Sequence, residues 1–460
     1  MERIKTGITA LDTSLQGGLP EGAAILIAGL PGVGKSIMAN QISFFNADDN
    51  NKVVYMSTLS EPQVKILKFQ QEFTFFDYNK FQKSVIYYDL GGILRRKDFA
   101  QTLTVIDELL RLHQPRLIVI DTIKTLTDMI PSILDFREFL LDLSLKMATW
   151  GCTTILLGEY TEDEILNRPE SAIVDGIIYL YGTEEKRQQH RYMRTLKMRG
   201  TNIPGGEIRY RISPDGINIY PRLNPIVNEQ HYYQSTKRLS TGIPGLDEMM
   251  GGGIPTGSTT LLSGASGTGK TILAIYMAAH CLKENEAVLY ITFEENPKQI
   301  INGMKNQGFD LDKYIGSGQL SMIHVSPMEL NVDELSYHIQ RKANEMKAGM
   351  VIIDSISSFE VGMDNKSKYT DCIWALADYL KAAGIAALFI HEIHDSHLVS
   401  EVTKHGISFV ADNIILLRFL EEGTNVKRYL RIVKMRCSGH LTKMKELHIS
   451  AQGVSLGETL

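Results

Sequence analysis

Two stretches decide the fold: TGITALDTSLQGGLPEGAAILIAGLPGVGKS, from Thr6 to Ser36, and TGIPGLDEMMGGGIPTGSTTLLSGASGTGKT, from Thr241 to Thr271. They are one pattern written twice. Gly7 matches Gly242, Pro20 matches Pro255 and Lys35 matches Lys270, all at one constant offset. Later landmarks hold that register to within two residues, Asp121 with Asp354 and Lys197 with Lys434. A repeat that long is a duplication. The halves are read as domains over residues 1–222 and 240–460, with 223–239 as a linker because NPIVNEQHYYQSTKRLS has no clean helical or strand period. Within each half, short apolar runs such as AAILIAG, RLIVID and VIIDSI alternate with longer amphipathic stretches. That alternation predicts βαβ units and an α/β fold in which each domain is a mostly parallel sheet flanked by helices. The runs lack polar alternation, as strands covered on both faces should.

Each stretch closes on G-x-x-x-x-G-K-[ST], as GLPGVGKS (Gly29–Ser36) and GASGTGKT (Gly264–Thr271). Each follows an apolar strand and opens an amphipathic helix, the context this phosphate-binding loop requires. The loop backbone around Gly32, Val33 and Gly34, and around Ser266, Gly267, Thr268 and Gly269, would curl its N–H groups about phosphates. Ile37 and Ile272 continue the helix N-termini. Lys35 and Lys270 would reach the β- and γ-phosphates, and the hydroxyls of Ser36 and Thr271 would ligate Mg²⁺. A bare glycine-rich turn is the alternative. Asp121 and Asp354 end apolar strands at matched distances after those lysines and read as the acid on the Mg²⁺ side, or else as caps of the following helices.

Composition narrows the class. The chain has 460 residues, 43% hydrophobic and 22% charged, with a formal net charge of −5. Chain-wide nucleic-acid binding normally needs a basic surface, so the balance argues against it. GEYTEDEILNRPES and HEIHDSHLVSEVTKHG, the loops that would face a central pore, are acidic or mixed and argue the same way. Four scattered cysteines without CxxC spacing fit a reducing compartment. MERIKTG lacks an apolar signal core and no long apolar run follows, so a cytoplasmic protein without a membrane span is expected.

The TGI-x-x-LD…GG-[LI]-P-x-G entry, the paired phosphate loops and two basic strands, LKMRG and VKMRC, together resemble the KaiC family of tandem RecA-like ATPases. The likeness covers essentially the whole chain. It implies two tandem RecA-like P-loop NTPase domains, ATP and Mg²⁺ as ligands, and two-tiered hexamers with ATP bound between neighbouring subunits. It also implies a KaiB-like protein partner. The clock member of the family is a Ser/Thr autokinase and autophosphatase. By the same resemblance Lys197, Met198, Arg199 and Thr201 belong to a nucleotide site. Lys197/Arg199 and Lys434/Arg436 would reach into the neighbouring subunit's site and touch the γ-phosphate. Residues two apart on a strand share a face, so each Lys and Arg would project together. A solvated basic edge strand is the alternative.

The halves differ where hydrolysis needs a base. VLYITFEENP ends a strand with Glu294-Glu295, the pair that matches the family's catalytic glutamates, with Glu294 also a metal-side acid. The first half reads VVYMSTLSEPQ, placing Leu59 and Ser60 there and Glu61 one residue further on. It is expected to bind ATP structurally and to hydrolyse it slowly if at all. The histidines of HEIHDSH (His391, His394, His397) do not match H-E-x-x-H and are read as a polar loop at a strand end, without a metal.

SEVTKHGISFVADNIILL resembles the clock protein's phosphorylated segment, with Ser408 kept, the neighbouring Thr replaced by Phe409, and Thr403 upstream. Ser408, then Thr403, are the candidate acceptors; an ordinary loop serine is the alternative. Past ELHISAQG the chain runs only to Leu460, so regulation through a long C-terminal tail is not expected. The expected function is an ATP-hydrolysing, autophosphorylating ring in signalling or clock-like regulation. An ATP-assembled scaffold without kinase activity, or a RecA-like DNA motor, would be the other readings.

Overall fold

The computed structural model describes residues 2–58, 63–94, 99–130, 132–185, 188–203, 205–223, 237–305, 308–326, 331–358, 366–393, 409–436, 438–450 and 453–460. The chain divides into two compact units, Met1–Pro221 and Arg222–Leu460. In the first, one nine-stranded sheet runs from edge to edge as Val85–Asp89, Val53–Ser57, Leu117–Asp121, Thr153–Gly158, Ala24–Ala28, Gly176–Glu185, Gln188–Met198, Ile208–Ser213 and Gly216–Tyr220. The first six of these are mutually parallel and the last three antiparallel.

The second unit repeats that order strand for strand: Leu320–His324, Val288–Thr292, Met350–Asp354, Ala386–Glu392, Thr259–Gly264, Asn413–Glu422, Asn425–Met435, Lys445–Ser450 and Gly453–Thr459. These are the two tandem RecA-like P-loop domains expected from the sequence.

Why the parallel strands read as unbroken apolar runs is visible in their packing. Tyr290 and Ile352 point into one buried cluster with Leu262 and Met277. Their neighbours Leu289, Ile291, Val351 and Ile353 point into another, with Ile339, Ile373 and Leu376. Both faces of the sheet are covered, so both side-chain registers are largely apolar. Each fully buried aliphatic side chain contributes about 2 kcal/mol.

The TGI-x-x-LD signature is a local clasp. Thr6 donates through Oγ1 to Asp12 Oδ1 at 2.7 Å and its N–H reaches the same oxygen at 2.7 Å. Thr241 and Asp247 repeat this at 2.7 and 2.8 Å. Arg3 then ties the entry together by donating to the Leu15 and Gly18 carbonyls, as Arg238 does to those of Met250 and Gly253. Arg238 and Leu239, the last residues of the expected linker, already form a short ladder with Ile254–Pro255; residues 224–236 lie outside the described chain.

The double glycine of that entry is required sterically. Gly18 and Gly253 have φ of +123° and +108°, and a Cβ there would lie 2.2 Å from the Ile4 carbonyl oxygen or 2.3 Å from that of Leu239. Gly253→Ala is therefore expected to cost about 2 kcal/mol and to lower a thermal transition of the chain by roughly 5 °C. Scanning calorimetry of the full chain checks this; an unchanged profile contradicts it.

Candidate nucleotide site

Each candidate site is assembled where the first strand of a sheet hands over to its helix. The strand Ala24–Ala28 leads through GLPGVG into the helix Lys35–Asn46, and Thr259–Gly264 leads into Lys270–Lys283. Gly34 and Gly269 stand at the helix N-caps with φ of +100° and +97°, a conformation that L side chains rarely adopt. Tyr210, on an antiparallel strand, pins the loop from outside by donating to the Val33 carbonyl at 2.6 Å. Thr268 braces the second loop through Oγ1 to the Ala265 carbonyl at 2.8 Å. Gly32, Ser266 and Gly267 are the exposed crests of the two loops, while Ile37 and Ile272 are half-buried in the first helical turns.

The two lysines behave alike. Lys35 Nζ donates to the Gly29 and Leu30 carbonyls at 2.8 and 3.1 Å, and Lys270 Nζ to those of Gly264 and Ala265, both at 2.9 Å. Both side chains are buried, and desolvation holds both ammonium groups below the usual lysine range. Nearby carboxylates oppose that shift, Glu159 and then Asp121 at Lys35, and Glu392, Asp354 and Glu294 at Lys270. The lysine thus arches over its own loop with an under-solvated positive charge, an arrangement suited to an anion.

Asp121 and Asp354 sit on the strand ends as expected, and Asp121 does not cap the next helix. Thr122 does that, accepting from Lys124 N–H at 3.1 Å. The Asp121 carboxylate instead takes Ser36 Oγ at 2.9 Å and Tyr55 Oη at 2.7 Å on one oxygen. Asp354 repeats the set, with Thr271 and with Tyr290 Oη at 2.8 Å. Burial raises the Asp354 carboxyl above the ordinary aspartate range, against the pull of those two hydroxyls. A hydroxyl and a carboxylate oxygen side by side form the hard-oxygen donor pair that Mg²⁺ prefers.

Glu294 lies two residues beyond its strand, whose last residue, Thr292, pairs with Asp354. Although its side chain is open to solvent, partial desolvation and then Asp354 and Glu392 raise its carboxyl above the usual glutamate range. Glu295 turns away into a local turn in which its N–H and carbonyl bond Thr292 Oγ1 at 3.2 and 2.9 Å. Leu59, Ser60 and Glu61 lie outside the described residues, as do Thr403, Ser408, His394 and His397. His391 corrects an expectation. It is a buried residue inside the strand Ala386–Glu392, not part of a loop after it, because its ring meets Ser263 Oγ across the ladder at 3.4 Å.

The basic strands carry a second correction. They end at Met198 and Met435, so Arg199 and Arg436 lie one residue beyond, and a bulge precedes Lys197 and Lys434 at the same place in both sheets. Bulges re-aim side chains. Lys197 Nζ donates to the carbonyls of Ser171, Ala172 and Val174, at the end of a short helix, while Arg199 pairs with Asp175 at 3.1 Å. Lys434 donates to Ala411 at 2.7 Å, and Arg436 to Phe409 at 3.3 Å with Asp412 at 3.7 Å. Met198 is buried, and Thr201 Oγ1 accepts from Arg3 at 3.0 Å.

Sequence reasoning missed three kinds of residue here. Tyr55 and Tyr290 stand mid-strand at matched positions, and Glu159 and Glu392 lie at the ends of the strands beside the two phosphate loops. Arg428 reaches the second loop, donating through Nε to the Gly267 carbonyl at 3.4 Å. The signal available was repetition: Tyr55/Tyr290 and Glu159/Glu392 recur within the register of the duplication.

With this geometry in hand, the relatives fall into place. The family model "ATPase: KaiC" matches residues 4–224 and again 239–460. The chain is 25% identical to the "Circadian clock oscillator protein KaiC" of Prochlorococcus marinus, over 100% of its own length and 91% of that protein. It is equally identical to the protein of that name from Synechococcus elongatus, over 99% and 89% of the two chains, and to "KaiC 1" of Synechocystis, over 100% and 90%. No described helix is long and apolar enough to cross a membrane. Two nine-stranded α/β domains, each with its own phosphate loop, acid and tyrosine, and a family model matching both, make this chain a member of the KaiC ATPase family.

Proposed function

We propose that the protein binds Mg-ATP in both domains, hydrolyses it mainly in the second, and phosphorylates itself there within a hexameric ring. The observation that carries this reading is Glu294 beside Lys270 and Asp354, a carboxyl raised above the usual glutamate range at a site otherwise duplicated in the first domain. Lys35 and Lys270 would leave their loop carbonyls for the β- and γ-phosphates. Ser36 and Asp121 in one domain, and Thr271, Asp354 and Glu294 in the other, would hold Mg²⁺. The bound ion would neutralise charge on the phosphate oxygens. Glu294 would take the proton from the attacking hydroxyl, of water or of a serine. Glu295, bonded into its own turn, would orient that strand end. The relatives' names support a role in clock-like signalling.

The ring follows from the basic residues. Lys197, Arg199, Lys434 and Arg436 sit at strand ends on carbonyls and carboxylates of their own domain, partners that a more highly charged γ-phosphate could replace. Burial lowers the Lys197 and Lys434 ammonium groups, which favours an anionic partner over the present one. Sites shared between subunits should make nucleotide stabilise the assembly. Light scattering is expected to give a hexamer with Mg-ATP; a monomer at saturating ATP removes the shared site.

The Glu294→Gln, Glu295→Gln double variant is expected to lose turnover by about 100-fold or more while binding ATP as before. Turnover that persists, and that Lys35→Ala abolishes instead, would make the first domain the main ATPase.

Ser408 is the expected phosphoacceptor, with Thr403 second, and Phe409 without a hydroxyl limits the paired position to one phosphate. Phosphopeptide mapping after Mg-ATP incubation should find the phosphate within residues 400–410. Phosphate found only elsewhere, or none, leaves an ATPase without the kinase step.

A further inference from the structure

The first domain has no Glu-Glu pair at the position matching Glu294-Glu295, yet an unclaimed carboxylate stands beside its phosphate loop. Gly158 ends the strand that pairs directly with the loop's own strand, and its carbonyl accepts from Gly29 N–H at 3.1 Å. The next residue, Glu159, therefore lies alongside the first turn of the loop, about one strand spacing of 4.8 Å away. Its main chain is fixed there by Lys124 Nζ, which donates to the Glu159 carbonyl at 2.9 Å. The side chain is half-buried, and among the described residues its carboxylate accepts no hydrogen bond. The other acid of this site, Asp121, is already taken by Ser36 and Tyr55.

Two further observations point the same way. Glu159 acts on the Lys35 ammonium more strongly than any other charged group, ahead of Asp121. The lysine that would contact the terminal phosphates thus has Glu159 as its strongest charged neighbour. Second, the register is duplicated. Gly264 pairs with Glu392, which is the strongest charged neighbour of Lys270 and one of the carboxylates that raise Glu294. In the second domain Glu392 acts on a neighbouring base; in the first, the sequence has Leu59 and Ser60 at the positions of Glu294 and Glu295, while the strand-end acid is kept.

We propose that Glu159 is the general base of the first domain. The water oxygen attacks the γ-phosphorus of ATP, and the bond from phosphorus to the β–γ bridging oxygen breaks with its electron pair kept by ADP. The water proton passes to the Glu159 carboxylate, which returns it to solvent. The inference rests on the reading above that each domain binds ATP, and it assigns the slow turnover of the first domain to one residue.

The test uses the full chain carrying Glu294→Gln and Glu295→Gln, with phosphate release and equilibrium ATP binding measured side by side. A slow residual turnover is expected. Adding Glu159→Gln should reduce that residue of activity by about 100-fold, with ATP affinity and melting temperature unchanged. Glu159→Asp should retain part of it. No residual turnover, a residual rate untouched by Glu159→Gln, or one removed by Glu61→Gln instead would each overturn the proposal. Loss of ATP binding in the parent double variant would contradict the two-site reading rather than the role of Glu159, so the two failures are distinct.

Discussion

Parallel pairing is the constraint on which everything else in each domain depends. Because Val53–Ser57, Leu117–Asp121, Thr153–Gly158 and Ala24–Ala28 run the same way, their carboxyl ends finish on one edge of the sheet. Residues distant in sequence then meet there without any loop having to carry them: Asp121, Glu159 and the loop that holds Lys35. The second domain meets the same condition with Asp354, Glu392, Glu294 and Lys270. Open α/β sheets place ligands at this edge for the same geometric reason.

Burial then sets the electrostatics. A lysine arching over dry backbone loses hydration, and the carbonyls of Gly29 and Leu30 replace only part of it. The surrounding acids compensate, but crowding raises their own carboxyls, as Asp354 and Glu294 record. Each group is therefore held in a charge state that a polyanion with a divalent cation would relieve. The buried tyrosines belong to that balance. Tyr55 and Tyr290 are fully enclosed and remain neutral donors, since desolvation and the adjacent aspartate both oppose their ionisation. They steady the carboxylate without adding charge.

Much of this was legible in the sequence. The duplication, the phosphate loops, the strand-ending aspartates and the two-domain α/β architecture are all local patterns, and local patterns survive in one dimension. What escaped was set by lateral pairing. Nothing near Glu159 or Glu392 announces that the strand before it lies against the phosphate loop, and Tyr55 reads as one more apolar strand residue until Asp121 is placed beside it. The basic strands show the same limit. Period two put Lys197 and Arg199 on one face, and their charges do act on each other, but it did not show the bulge at Ile177/Ile178 before Lys197 or the strand end at Met198. His391 was misread because its neighbour across the ladder, Ser263, is far away in sequence.

The duplication also separates scaffold from chemistry. Thr6–Asp12, Arg3, Lys35, Ser36–Asp121–Tyr55 and Glu159 all have partners in the second domain at matched positions. All of these except the Glu159 carboxylate hold the loop, the strand ends or the entry clasp, and losing any one of them would disturb the fold or the anion seat of its domain. Glu294 stands outside that scaffold. It stands past the end of its strand, exposed, with no hydrogen bond that the sheet requires, so its counterpart could be lost from the first domain without structural cost. A strand-end acid shared by both copies, by contrast, is positioned by the ladder itself. The base at this strand end could therefore diverge between the domains, while the shared edge of the sheet keeps a carboxylate, Glu159 or Glu392, next to each phosphate loop.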